Sequence, residues 1–238
     1  MLVRTLLCSL VGAGIWLPVR ATPIELVKRL EDFPIAAALL SAYDTTMDVF
    51  ASFGGNLVVP QMAVPSGGDP LQAWSAQCSV GGANGCLGMY PHPGLPMNSA
   101  THTSLAALYE YAPDYESAVF QLSISPGDLL IFTSTIVNNK TVSISCLDES
   151  SGDSASVTLT SSAVQPAPYT QIIWGIEQAS AGLVDFGVVD WTQTAVTTKS
   201  GVRLTPADTD EIWELVYGGV QHSSVTPSTA EVSIAYQP

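Results

Sequence analysis

After residue 42, helix signals nearly vanish, and short runs rich in Val, Ile, Thr and Tyr alternate with turns of Gly, Pro, Ser and Asn. One cycle takes roughly ten residues, the spacing of an all-β chain built from short strands. On such a strand alternate side chains share a face. The pattern predicts strands over 118–124, 129–137, 141–147, 156–161, 172–176, 188–194, 212–217 and 231–236. Ser125-Pro126-Gly127-Asp128 and Ser150-Ser151-Gly152-Asp153 have turn chemistry. Residues 91–104, rich in Pro and polar side chains, read as a long loop. Residues 26–42 carry a helix-like apolar periodicity. No internal repeat or linker interrupts the chain, so an antiparallel sandwich or barrel in one domain is expected.

The N-terminus reads as a targeting segment. Arg4 precedes an apolar run from Leu6 to Leu17, short for a membrane span, and Val19-Arg20-Ala21 suits signal-peptide cleavage near Ala21. The alternative is an uncleaved N-terminal anchor. Lys28-Arg29 is a dibasic pair where a short propeptide would end. The expected organisation is a signal peptide over 1–21, a propeptide over 22–29 or somewhat longer, and one domain over 30–238. Four of the seven bases and one of the 21 acids lie before residue 30, leaving three bases against 20 acids, a net charge of −17. Such a surface repels nucleic acid and anionic membranes. Its self-repulsion falls as carboxylates protonate, which suits an acidic medium and serves solubility equally well.

Secretion favours disulfides, and Cys78–Cys86 is a candidate pair across the Gly81-Gly82 turn. Cys146 alternates with Ile144 on a strand-like run and reads as a buried thiol. Asn139-Lys140-Thr141 is an N-glycosylation sequon at a hairpin tip. No group of residues has metal-ligand spacing, and His92, His102 and His222 read as structural or solvent-facing. No metal and no cofactor are expected, and the processed protein is expected to be a monomer.

Two segments place a carboxylate inside an apolar and aromatic strand. One is Leu108-Tyr109-Glu110-Tyr111, the other Ile172-Ile173-Trp174-Gly175-Ile176-Glu177. Alternation puts Tyr109 and Tyr111 opposite to Glu110, and puts Glu177 on the face of Ile173 and Gly175. A carboxyl group walled by apolar side chains is desolvated, holds its proton in mild acid and can serve as general acid or base. A solvated face or a bond to a backbone amide is the plainer reading of such a residue.

The ordered set of motifs resembles the eqolisin family of glutamic peptidases. Ala107-Leu108-Tyr109-Glu110-Tyr111-Ala112-Pro113 is similar to its A-W-Y-E-W-Y-P segment. Ile124-Ser125-Pro126-Gly127-Asp128 resembles its S-x-G-D turn, and residues 143–152 its A-T-x-E-N-x-x-x-G hairpin. Ile173-Trp174-Gly175-Ile176-Glu177 resembles the E-W-I-V-E-D-F stretch, and Leu183-Val184-Asp185-Phe186-Gly187 the F-A-D-F-G continuation. Leu57-Val58-Val59-Pro60 and Ala73-Trp74 fall where the family has x-V-P and A-W-V-G-I-D-G. The resemblance runs from about residue 107 to the C-terminus and more faintly upstream.

It implies two curved antiparallel sheets in a jelly-roll sandwich, with a glutamate–glutamine dyad in the cleft. The glutamate carries over to Glu177, with Trp74, Tyr109 and Glu110 lining the cleft. A gap-free count from Trp74 brings Gly88 to the glutamine's place and Cys78 to that of an aspartate. Gln77 is the nearby amide and the candidate dyad partner. The implied activity is acid endopeptidase, with a peptide substrate. The alternatives are a repurposed enzyme using Glu177 and Glu110 on a small non-peptide substrate, and a secreted binding protein or effector without catalysis.

Overall fold

The computed structural model describes residues 35–41, 50–60, 74–80, 83–91, 103–111, 115–138, 140–161, 171–178 and 185–238. Over Trp74–Val80 and Ala83–Pro91 the description is of the backbone and its pairing. The signal peptide, the propeptide, the Gly81-Gly82 turn, His92, His102 and Asn139 lie outside the described residues.

The strands are β1 (Ile35–Ser41), β2 (Phe50–Val58), β3 (Trp74–Val80), β4 (Ala83–Pro91), β5 (Thr103–Tyr111), β6 (Tyr115–Val119), β7 (Leu129–Ile136), β8 (Thr141–Asp148) and β9 (Ser154–Thr160). They continue with β10 (Gln171–Gln178), β11 (Val188–Thr198), β12 (Arg203–Leu204), β13 (Glu211–Trp213), β14 (Val216–Tyr217), β15 (Val220–Gln221), β16 (Ser223–Pro227) and β17 (Glu231–Tyr236). A single turn of 3₁₀ helix, Pro206–Asp208, is the only helical element among the described residues.

All pairings are antiparallel. One sheet has seven strands in the order β13-β1-β10-β3-β4-β5-β6. The other has eight, β16-β17-β11-β2-β7-β8-β9, with β12 also paired to β11. A common apolar core joins their inner faces, with Trp174, Ile176, Ala107 and Tyr111 from the first sheet and Phe53, Leu57, Phe132, Ile144 and Trp191 from the second. The expected two-sheet sandwich is therefore the fold. Alternation explains why: β7 and β8 bury every second residue, such as Leu130, Phe132, Val142 and Ile144, and present Thr133, Thr135, Ser143 and Ser145 outward.

The expected turns form as read. Gly127 and Gly152 adopt φ of 93° and 82°, a region that costs glycine little. The buried Asp148 carboxylate closes the β8–β9 turn by accepting from the backbone N–H groups of Ser150 and Ser151 and from the Ser151 hydroxyl.

Three expectations are corrected. Residues 35–41 form a strand, not the end of a helix. β1 is an inner strand, flanked by β10 and β13, and is buried on both faces. A continuous apolar run buried on both sides has no two-residue alternation, so its periodicity does not separate strand from helix. The strand expected over 118–124 stops at Val119, where the Leu122 N–H turns back to the Phe120 carbonyl. The strand expected over 212–217 is broken at Glu214 and Leu215 into β13, which belongs to the seven-stranded sheet, and β14, which pairs with β15 in a separate two-stranded ribbon.

Candidate active site

β10 carries Glu177. Ile172, Trp174 and Ile176 enter the core between the sheets, while Ile173 packs with Ile35, Ala37 and Leu39 on the opposite face. Glu177 shares that second face by alternation and is only 3% exposed. Its register partners are Ile35 on β1 and Ser75 on β3. The same row continues from Ser75 to Gly88 on β4 and Ala106 on β5. Beyond Ser75 this row has small residues only.

Two residues before Glu177, the strand needs glycine. A Cβ at Gly175 would lie 2.8 Å from Ala37 Cβ and 3.0 Å from the Ala36 carbonyl oxygen. On the core side, the two sheets exchange tryptophan hydrogen bonds. Trp174 Nε1 donates to the Gly54 carbonyl at 3.3 Å, and Trp191 Nε1 donates to the Gly175 carbonyl at 3.4 Å. Gly55 makes room for the Trp191 ring, since a Cβ there would come 3.1 Å from Trp191 Cε3.

Glu110 is 1% exposed and pairs in register with Asn84, in a row that continues through Ser79 to Ile173. It lies on the same face of the sheet as Glu177. The separation is three strands sideways and four residues along, about 20 Å at ~4.8 Å per strand and ~3.4 Å per residue. Carboxyl pairs that act together on one bond stand about 3 Å apart in aspartic proteases and no more than about 9.5 Å apart in glycosidases. Glu110 and Glu177 do not form such a pair, which removes the geometric basis for their joint action on a small substrate.

The structure brings some expected residues together and separates others. Gln77 pairs with Gly175, two residues along from Ser75, and so is the diagonal neighbour of Glu177 on the adjacent strand. Diagonal positions lie about 7–8 Å apart, within reach of two long side chains. Gly88 is in Glu177's own row, two strands away. Trp74 pairs with Gln178, one residue out of step with Glu177. Tyr109 does not line the face of Glu110. Its ring packs on Phe120 at a centroid distance of 4.8 Å, against the core between the sheets. The alternation that puts Glu110 on one face puts Tyr109 on the other, so Tyr109 is a core residue. Cys78 pairs with Gly85, and Cys86 with Gln77. The two cysteines are therefore one step out of register across β3 and β4.

Cys146 is free and fully buried, and burial, aided by the nearby Asp148 carboxylate, pushes its thiol up to about 12. It is an inert core thiol, not a nucleophile. His222 is structural: Nδ1 lies 3.1 Å from the Gln237 carbonyl and its ring stacks on Tyr236. Among the described residues no three His, Cys, Asp or Glu side chains are grouped to hold a metal ion, and no helix is long and apolar enough to cross a membrane.

Residues 38–236 match the model of the peptidase A4 family. The chain belongs to the peptidase A4 family. Its fold is that of the solved glutamic peptidases. Scytalido-glutamic peptidase, crystallised with a peptide-based transition-state analog, superposes with a TM-score of 0.67 at 17% identity, over 85% of this chain and 98% of that one. SCP-B, an eqolisin bound to the tripeptide Ala-Ile-His, gives 0.64 at 16% identity with the same coverage. Aspergilloglutamic peptidase from Aspergillus niger gives 0.57 at 23%, over 69% of this chain and 98% of that one. No curated protein matches.

Within this A4-family sandwich, the sequence did not single out β1 or the tryptophan exchange. Ile35 and Ala37 were hidden in a run without alternation. Trp191 carries a local signal, an aromatic at an inward position of β11, but its acceptor is 16 residues away and on the other sheet.

Proposed function

We propose that this A4-family chain is a secreted acid endopeptidase in which Glu177 is the general acid/base and Gln77 the amide partner. The observation that carries the reading is the placement of Glu177, nearly enclosed on a sheet face, with Gln77 at the diagonal register position. In this scheme the Glu177 carboxylate takes a proton from a water molecule as its oxygen attacks the scissile carbonyl. The carbonyl oxygen becomes the oxyanion of a tetrahedral intermediate, and the Gln77 amide N–H donates to it. Glu177 then returns the proton to the leaving amine as the C–N bond breaks. The row beside Glu177 runs through the small residues Ser75, Gly88 and Ala106, and the proposal places the peptide along it. The signal peptide over 1–21, processing at Lys28-Arg29, a glycan on Asn139 and a monomeric state complete the proposal. The sequon suits the turn between β7 and β8, which end and begin at Ile136 and Thr141.

The test is casein digestion from pH 2 to 5 by the dibasic-processed protein, beside Glu177→Gln and Gln77→Ala. Cleavage abolished by Glu177→Gln, and reduced about 10²–10³-fold by Gln77→Ala as for a lost oxyanion donor, supports the reading. No cleavage by the processed wild type sinks it. One observation favours a second reading, a peptide-binding protein without catalysis: Gly88, with no amide to offer, stands in Glu177's own row. That reading predicts peptide binding that survives Glu177→Gln.

A further inference from the structure

We propose that Trp191 is a positioning residue for Glu177, acting through the peptide group of Gly175; this rests on the reading of Glu177 as the reacting acid. Gly175 lacks a side chain because Ala37 and the Ala36 carbonyl occupy the space. A glycine weakens a strand, having no Cβ to restrict its backbone and no side chain to pack. The most deformable point of β10 thus lies two residues before the acid. Apolar packing between sheets does not correct this, because it is non-directional and tolerates small slides.

A hydrogen bond has a fixed length and direction. Trp191 supplies one from beneath, from its indole N–H to the Gly175 carbonyl at 3.4 Å. Trp174, the residue before Gly175, is tied to the second sheet by its own indole N–H on the Gly54 carbonyl at 3.3 Å. Residues 174 and 175 are therefore anchored to two neighbouring strands of the opposite sheet, β2 and β11. Trp191 is itself held firmly. It is 0% exposed, sits edge-on to Phe132 with centroids 6.1 Å apart, and occupies space that only a glycine at position 55 leaves open. Without Gly175 its buried N–H would lose that acceptor, so the bond is favoured from both ends. Acid/base groups work within tolerances of about 0.5 Å, and misplacement by 1 Å can cost about 10²-fold.

The experiment compares Trp191→Phe, which keeps an aromatic ring but removes the donor, with Leu159→Ala, a core change on β9 at the far edge of the second sheet, separated from β11 by β2, β7 and β8. Three quantities are measured: thermal stability, kcat and KM on a peptide substrate, and the titration midpoint of Glu177 by ¹³C NMR. The Glu177 signal is assigned by its loss in Glu177→Gln. The expected result is that Trp191→Phe lowers kcat about tenfold at near-constant KM and moves the Glu177 midpoint, while Leu159→Ala lowers stability and moves neither. Unchanged kcat and midpoint in Trp191→Phe overturn the proposal. Equal changes in Leu159→Ala overturn it too, since general loosening of the core would then account for them. If the wild type does not cleave peptides, the peptidase reading fails, and the midpoint alone decides whether Trp191 positions Glu177.

Discussion

Ile35, the first residue of β1, pairs directly with Glu177 on β10. The first described strand is thus the immediate neighbour of the carboxyl group proposed for catalysis. It lies between β10 and β13, so it is part of the sheet's interior.

Truncation tests this. A chain beginning at Leu30 keeps β1 and is expected to fold. A chain beginning at Tyr43 loses Ile35, Leu39, Leu40 and three alanines, all buried. At about 1.5–3 kcal/mol for each large aliphatic side chain, the loss rivals a typical domain stability of about 5–15 kcal/mol. It also strips the pairing edge of β10. The shorter chain is expected to be insoluble or to give no cooperative melt; a cooperative melt within a few degrees of the longer form's would contradict the placement of β1.

Gly175→Ala is expected to destabilise by about 1–3 kcal/mol, the usual cost of forcing a methyl group into a packed site. For a chain of this size that is a fall in Tm of roughly 2–10 °C. Adding Ala37→Gly removes the 2.8 Å clash but leaves the Ala36 carbonyl at 3.0 Å. The double variant should recover part of the loss. Strict additivity of the two single changes would show that residues 37 and 175 are not in contact.

Glu110 and Glu177 should respond differently to amide substitution. Glu177→Gln removes the proton carrier and is expected to abolish peptide cleavage. Glu110→Gln, about 20 Å away along the sheet, is expected to change kcat less than tenfold in protein whose melting curve shows it folded. Equal losses in the two variants would restore the paired-carboxylate reading.

The half-buried Glu214 joins the end of β13 to β16. Its carboxylate accepts from the Ser223 hydroxyl at 2.6 Å and the Val225 N–H at 3.1 Å. Burial raises its pKa above the ordinary value, and the two hydrogen bonds offset part of the rise. The folded chain therefore holds this proton more tightly than the unfolded chain. Its contribution to stability is greatest with the group protonated, and declines as pH rises from the unfolded value near 4.3 through the raised folded one. As pH rises from about 4 toward neutral the wild type should lose Tm relative to Glu214→Gln, the effect being small because the group is only half-buried. Parallel Tm–pH curves for the two proteins would refute this.

Much of the fold is legible in the chain itself. Strands β7, β8, β9 and β17 follow from alternation, which acts between residues two apart and needs no knowledge of the rest of the molecule. The same period puts Glu177 with Ile173 and Gly175, and Tyr109 with the core. It is silent for β1, whose apolar run is buried on both sides, and it stops short at Phe120 and Glu214, where the chain turns for reasons of packing between distant segments.

The sequence by itself determined an all-β chain of short antiparallel strands, an ordered set of motifs resembling the eqolisin family, and the place of Glu177 on the strand face it shares with Ile173 and Gly175. Only the tertiary structure decided which strands lie beside it. That register makes Gln77 the diagonal neighbour of Glu177, sets Gly88 in its row, carries Glu110 some distance away on the same face, and brings Trp191 beneath Gly175. The physical reason is that a strand's period is a local property of the chain. Its neighbours are chosen by hydrogen bonding and burial between segments far apart in sequence, and a shift of one residue in register exchanges one face for the other.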